Sequence, residues 1–353
     1  MSATDLSTTY LGLRLANPFM TGASPLSDHL DTARRLEDAG CAAIVVHSLF
    51  EEQISQAGSG RIHHLDPLDR QFATVVSYFP EPESYALGPE EYLEHLRRLK
   101  ESLSIPVIGS LNGTSAEAWL GHAKLIEQAG ADAIELNTYE VVTEPEQTGL
   151  AIETALRQIV RDLKRELRIP IAVKLSPYFT ALANVAHELE RAGASGLVFF
   201  NRFLQPDIDV RHLTTWPRLE LSTSAELLVR LRWLAIMRNQ VRCSLAVTGG
   251  VATPNDAIKA LLAGADAVQM VSTILRHGPS YFVSMQNELR RWMESLEFAR
   301  IDDFRGRVSV KKAEGRSAFE RAQYIRTVSE WSAWMSYQAY VRAHEDDELN
   351  LPS

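Results

Sequence analysis

Leu36-Glu37-Asp38-Ala39-Gly40-Cys41-Ala42-Ala43-Ile44 returns, with changes, three more times along the chain. The other copies are Ile126-Glu127-Gln128-Ala129-Gly130-Ala131-Asp132-Ala133-Ile134, Leu189-Glu190-Arg191-Ala192-Gly193-Ala194-Ser195-Gly196-Leu197 and Leu261-Leu262-Ala263-Gly264-Ala265-Asp266-Ala267-Val268. Each reads as the last turn of an amphipathic helix, a glycine, and the start of an apolar strand. The glycine supplies the left-handed conformation that stops the helix. Small residues around it let the chain reverse tightly. A second pattern alternates with the first. Leu103-Ser104-Ile105-Pro106-Val107-Ile108-Gly109 and Leu167-Arg168-Ile169-Pro170-Ile171-Ala172-Val173 end a helix on Ile-Pro and then run apolar. Proline forbids helix continuation and suits the first residue of a strand. Val241 to Thr248 holds the matching place in the third pair, without the proline.

Taken in order, these signals predict strands near 17–21, 43–48, 107–111, 132–137, 170–175, 196–201, 243–248 and 266–270, with helices between them. Apolar strands alternating with amphipathic helices predict a parallel (β/α)8 TIM barrel. An open doubly wound sheet is the alternative. No Gly-x-Gly-x-x-Gly follows the first strand, so its dinucleotide-binding version lacks support.

The 353 residues are 45% hydrophobic and 23% charged, the make-up of an ordinary globular protein. α/β barrels of this length run as one domain, so residues 1–353 are expected to form a single barrel. The net charge of −9 speaks against a nucleic-acid-binding face. No apolar run reaches the roughly 18 residues of a membrane helix. Met1 to Thr9 lack the pattern of a secretion signal. Cys41 and Cys243 form no metal or redox motif, which fits a reduced, cytoplasmic setting, and no metal is expected.

Two stretches exceed the repeating unit. Phe50 to Gly88 follows the second strand and carries Arg61, His63, His64, Asp66, Tyr78 and Tyr85. A loop of that length is either a lid over the mouth or a solvated insertion. Residues 297–353 form a polar C-terminal extension with a helical stretch, Ala318 to Ala343, expected to pack on the barrel or on a partner subunit.

Barrel active sites are built at the C-terminal strand ends. After the fifth strand, Lys174 ends an otherwise apolar run. A lysine there needs a partner or an anion, because burying an unpaired ammonium is costly. A flavin ring that gains negative charge on reduction is one such partner; a structural carboxylate is the other. After the seventh strand comes Thr248-Gly249-Gly250-Val251, and after the eighth Val271-Ser272-Thr273. These two loops are the usual phosphate site of this barrel. The glycines let backbone N–H groups approach phosphate oxygens, and Ser272 or Thr273 adds hydroxyls. Asn137 ends the fourth strand and Asn201 the sixth. Their amides can match a planar imide ring such as a flavin or a pyrimidine, or they can cap helices.

Leu15-Ala16-Asn17-Pro18-Phe19-Met20 with Ala23-Ser24, Glu135-Leu136-Asn137, Val173-Lys174-Leu175 with Pro177-Tyr178-Phe179, Thr248-Gly249-Gly250, and Gln269-Met270 with Gly278-Pro279 follow one another on the expected strand ends. In kind and order this set resembles the dihydroorotate dehydrogenase family, across Leu15 to about Pro279. The long tail resembles the family's bacterial dihydroorotate dehydrogenase-like branch. The resemblance implies an FMN-dependent oxidoreductase of pyrimidine biosynthesis, in which a substrate hydride passes to flavin N5 while a loop base takes the neighbouring proton. It implies that Ala23, Ser24, His47, Ser48, Asn137, Lys174, Asn201, Gly249, Gly250 and Ser272 contact FMN or substrate. Asn137 and Asn201 would hold the substrate. A homodimer and a separate electron-transfer partner belong to the same expectation.

Three departures stand out. The family's flavin-side lysine after the second strand is His47 here, and the glycine of its phosphate pair after the eighth strand is Val271. The family's Asn-x-Ser-Cys-Pro-Asn or Asn-x-Ser-Ser-Pro-Asn loop reads Asn137-Thr138-Tyr139-Glu140-Val141-Val142, without the second, substrate-binding Asn. The base position falls on Glu140, whose carboxylate has the chemistry for the role if burial raises its pKa. FMN binding survives these changes better than dihydroorotate specificity does. A flavin-binding protein without that turnover, and a flavin-free barrel enzyme for a phosphorylated metabolite, are the competing readings.

Overall fold

A computed structural model describes residues 4–50, 88–112, 116–138, 141–203, 205–216, 220–310, 321–322 and 324–326. The chain divides into two compact units, Met1–Ser309 and Val310–Ser353. In the first unit eight parallel strands form a barrel: β1 (Phe19–Met20), β2 (Ile44–Val45), β3 (Val107–Asn112), β4 (Ala133–Asn137), β5 (Ile171–Leu175), β6 (Gly196–Phe199), β7 (Ser244–Thr248) and β8 (Ala267–Gln269). The neighbour order is β1-β8-β7-β6-β5-β4-β3-β2. Thr21 closes the ring against β2, its N–H donating to Ala43 O at 3.1 Å and its carbonyl accepting from Val45 N at 3.3 Å. Short strand Leu49–Phe50 continues beside β3. The eight expected strands and the closed parallel sheet are those of the (β/α)8 barrel.

The helices that alternate with the strands are α1 (Leu30–Asp38), α2 (Pro89–Ser102), α3 (Ala116–Gln128), α4 (Gly149–Glu166), α5 (Leu182–Ala192), α6 (Leu227–Met237), α7 (Pro254–Ala263) and α8 (Tyr281–Ser295). Short helix Ser272–His277 precedes α8. The four repeat glycines, Gly40, Gly130, Gly193 and Gly264, all have positive φ, between +86° and +122°. This is the left-handed stop expected of them, a conformation glycine adopts without steric cost.

The repeat's glutamate has a second use. Glu37 Oε1 accepts the N–H of Ser104 at 2.7 Å, and Glu127 Oε1 accepts that of Arg168 at 2.7 Å. Glu190 Oε1 accepts that of Cys243 at 2.7 Å. Each repeat carboxylate thus covers the donors left open where the chain enters the next odd-numbered strand.

Inside the barrel, four strands place an alanine inward near the bottom. Ala133, Ala172, Ala246 and Ala267 share one buried cluster with Tyr10 and Leu11. Those two come from a hairpin, Thr8–Tyr10 with Leu13–Leu15, that the sequence patterns did not predict. It fills the bottom, and Gly196 accommodates it, since a Cβ there would lie 2.5 Å from Leu11 Cδ2. A second unpredicted hairpin, Asp207–Asp209 with Thr214–Trp216, follows β6. Residues Glu297 to Ser309 belong to the first unit, with Gly306 N donating to Leu261 O at 2.9 Å. The packing of the rest of the extension and most of the long loop after β2 lie outside the described residues.

Candidate active site

Register sets the mouth. Asn112, Asn137 and Lys174 stand side by side across β3, β4 and β5, and Thr248, Gln269 and Met20 across β7, β8 and β1. Side chains alternate along a strand, so an inward Ala133 places Glu135 and Asn137 inward as well. The same parity places Lys174 inward above Ala172.

Asn137, Lys174, Thr248 and Gln269 border a cleft of about 730 Å³. Ala23, Ser24, His47, Ser48, Asn137, Lys174, Asn201, Gly249, Gly250 and Ser272 all line it. Thr273 does not: it is buried, and its hydroxyl donates to Val251 O at 2.6 Å, holding the loop from behind. Glu140 lies outside the described residues.

The deepest charge is a pair. Lys174 Nζ is 3.3 Å from Glu135 Oε1, and both side chains are almost fully buried. Gln269 Nε2 donates to Glu135 Oε2 at 2.5 Å. That bond fixes the amide's orientation, because a carboxylate acceptor demands the NH₂ end. Gln269 Oε1 is left buried without a partner among the described residues, and so is Thr21 Oγ1. Lys174 therefore meets both sequence alternatives at once: it has a structural carboxylate, and it faces the cleft. An ammonium carries three donors, and Glu135 takes one.

An amide and hydroxyl chain crosses the floor. Asn201 Nδ2 donates to Asn137 Oδ1 at 2.5 Å, and Asn137 Nδ2 to Ser48 Oγ at 3.3 Å. Ser48 Oγ lies 2.8 Å from Ser110 Oγ. Tyr92 anchors the end of this chain, its hydroxyl bridging the carbonyl and N–H of Ser110. Asn137 and Asn201 orient each other rather than capping a helix.

At the other end of the cleft, Gly249 and Gly250 have φ of +80° and +82°. A Cβ on Gly249 would come 2.8 Å from the buried guanidinium of Arg230, and one on Gly250 2.5 Å from Leu227 N. Arg230 Nε donates to Thr248 O at 2.5 Å, which sets the loop's height. Gly250 N donates to Ser222 Oγ at 3.2 Å, and Ser222 Oγ to Ser272 Oγ at 3.0 Å.

His47 stands at the rim with Asp28. Its Nδ1 is 2.7 Å from Asp28 Oδ1, and its N–H donates to Ser27 Oγ at 3.0 Å. The ring meets Tyr92 edge-on at 5.3 Å. Burial pulls the imidazole below its ordinary pKa, against the raising effect of Asp28. Elsewhere, burial pushes the Cys41 and Cys243 thiols up to about 12.

Sequence patterns missed Arg230, Ser222 and Asp28 among these residues. Their roles arise from tertiary approach, and no local signal marks them. Glu135 and Gln269 were detectable, since each is a polar residue inside an apolar strand.

The dihydroorotate dehydrogenase family model matches residues 83–293, more than half of the chain. Among curated relatives, the catalytic subunit of dihydroorotate dehydrogenase B (NAD(+)) of Thermoplasma volcanium is 28% identical over 319 residues, covering 87% of this chain and 99% of that protein. NAD-dependent dihydropyrimidine dehydrogenase subunit PreA of Escherichia coli K12 is 28% identical over 87% of this chain and 77% of its own length. The chloroplastic dihydropyrimidine dehydrogenase (NADP(+)) of Arabidopsis thaliana is 25% identical over 86% and 77%. The match to the family model, on a parallel barrel whose family-type residues meet at one mouth, shows that the chain belongs to the dihydroorotate dehydrogenase family.

Proposed function

We propose that this chain is an FMN-dependent oxidoreductase that desaturates a C–C bond in a small planar cyclic amide of the dihydroorotate or dihydropyrimidine class. The observation that carries the reading is the convergence of Lys174, Asn137, Asn201, Gly249, Gly250 and Ser272 on one cleft.

The residues present fit FMN. About 730 Å³ is within the range of ordinary ligand pockets. Phe50, Phe200, Met270 and Leu275 supply apolar wall. Gly22 keeps the floor open, since a Cβ there would lie 3.1 Å from Gln269 Oε1 and 3.2 Å from Val271 Cγ2. The orphaned Gln269 Oε1 calls for a donor, which the imide N–H of a flavin can provide. Gly249, Gly250 and Ser272 would hold the phosphate, and Lys174 the ring. Held there, FMN would supply the hydride acceptor. Lys174 stabilises developing negative charge with a preorganised cation. Asn137 and Asn201, already locked to each other, orient an amide substrate without further ordering. Desaturation also releases a proton, and two groups have the chemistry to take it: Glu140 by sequence position and the His47–Asp28 pair by geometry.

The relatives named as subunits support a separate electron-transfer partner, and the family resemblance supports a homodimer; pyrimidine metabolism in the cytoplasm is the setting proposed. The test is the purified protein's colour and released cofactor, followed by anaerobic bleaching with dihydroorotate, dihydrouracil and dihydrothymine. FMN by mass and bleaching by one of the three is the expected result. Released FAD, or a colourless protein that no added FMN restores, breaks the reading. A flavin that none of the three bleaches would favour the binding protein without this turnover, a reading supported by the changed Thr138-Tyr139-Glu140-Val141-Val142 loop.

A further inference from the structure

We infer that His47, oriented by Asp28, is the base that takes the substrate proton, a role that rests on the desaturation proposed above. Turning a C–C single bond into C=C breaks one C–H bond with its electron pair, which leaves as hydride to the flavin. The neighbouring C–H bond leaves its pair behind as the new π bond, and its proton must go to a group of the chain. That group must line the cleft, be neutral or anionic at working pH, and be held in one orientation.

His47 meets each requirement. It lines the same cleft as Lys174 and Asn137. Its main chain is pinned by Ser27 Oγ, and its ring is set edge-on against buried Tyr92. Asp28 Oδ1 lies 2.7 Å from Nδ1, a charge contact outside hydrogen-bond alignment, and its negative charge favours the tautomer with the proton on Nδ1. Nε2 then carries the lone pair, and the carboxylate stabilises the imidazolium that forms when Nε2 accepts a proton. The arrangement is that of a base with its orienting acid. A structural histidine is present for contrast: His95, whose Nε2 lies 2.6 Å from Ser27 O, outside the residues lining the cleft.

The influences on His47 oppose one another, and the lowering prevails. Asp28 raises its proton affinity, while burial and His95 of α2 lower it. His29 and Lys174 line the same cleft, Glu135 is paired with Lys174, and Tyr92 packs on the ring. The result is an imidazole that is neutral near pH 7 and able to accept. Loss of Asp28 should depress its affinity further.

The experiment has two parts. In the first, ring-labelled histidine is followed by NMR in the holoprotein, the His47 signal being identified by its loss in His47→Gln. His47 is expected to titrate below the ordinary imidazole value and to fall further in Asp28→Asn. An unshifted titration in Asp28→Asn overturns the orienting role. In the second, the rate of anaerobic flavin bleaching is followed against pH with the best substrate of the panel. It should rise with pH through the His47 titration and level off above it. His47→Gln should keep its flavin, bleach roughly 10²- to 10⁴-fold more slowly and lose that rising limb. Asp28→Asn should move the limb to lower pH. A His47→Gln protein that bleaches at the wild-type rate, or loss of the limb in Glu140→Gln instead, overturns the inference and leaves the proposed oxidoreductase standing. A wild-type holoprotein that no dihydropyrimidine bleaches overturns both.

Discussion

The two ends of this barrel treat polar groups in opposite ways. At the bottom, carboxylates are spent on the chain itself. Glu37, Glu127 and Glu190 accept backbone N–H groups at strand entries, and Asp266 accepts Leu245 N at 2.8 Å while pairing with Arg238 at 2.9 Å and Arg305 at 3.2 Å. At the mouth, side chains bind side chains, and capacity is left over. Lys174, Glu135 and Gln269 form one linked group whose last carbonyl is unpartnered among the described residues, and Asn201, Asn137 and Ser48 form another. The barrel makes stability at one end and keeps a prepared, partly unsatisfied polar surface at the other.

The sharpest way to break this contrast is at Lys174. Lys174→Met leaves Glu135 charged and buried without its cation, which should cost about 3–5 kcal/mol of unfolding free energy. Lys174→Met with Glu135→Gln should recover most of that loss, yet still bind flavin poorly or shift its reduction potential downward. Denaturant titration and spectroelectrochemistry read the two effects separately. A single variant of wild-type stability and potential would remove Lys174 from the site.

Glycine substitution at the two ends sharpens the comparison. Gly249→Ala meets both positive φ and a fixed guanidinium, so about 1–3 kcal/mol of destabilisation should come with clear loss of flavin occupancy. Gly130→Ala has positive φ but only Lys100 Cγ at 3.8 Å nearby. It should cost about 1 kcal/mol and leave the bound flavin unchanged. Equal flavin loss in both would mean that the mouth is no more demanding than the bottom.

Glu127→Ala strands the N–H groups of Arg168 and Ile169, which should cost about 1–3 kcal/mol with no change in the rate of flavin reduction. The smallest effect is expected at the cysteines. Both thiols sit at strand entries with pKa values pushed up to about 12, so neither is a thiolate near neutral pH. Cys41→Ser and Cys243→Ser should keep the bleaching rate of the parent, and abolished activity in either folded variant would place a thiol in the chemistry.

Helix–glycine–strand repeats and Ile-Pro strand starts are local events. A stop conformation needs only its own few residues, so the eight strands and their order were legible along the chain. Lys174, Gly249 and Gly250 were legible for a related reason. A lysine in an apolar strand, or paired glycines at a strand end, are anomalies against a known local pattern. Thr273 shows the limit: proximity to the phosphate loop was readable, but the direction of its hydroxyl toward Val251 O was not.

The rest was decided by approach in space. Tyr10 and Leu11, carried in by a separate hairpin, pack against the alanines inside the ring. Arg230 reaches Thr248 O from α6, Ser222 links Gly250 to Ser272, and Asp28 finds His47 across 19 positions of chain. None of these contacts has a spacing rule, since loops that meet over a barrel mouth are brought together by strand tilt and register and not by sequence separation. Local conformational preference, which the sequence carries by itself, determined which elements form and in what order. Which polar groups became partners, and which were left open to a ligand, came from closing the ring.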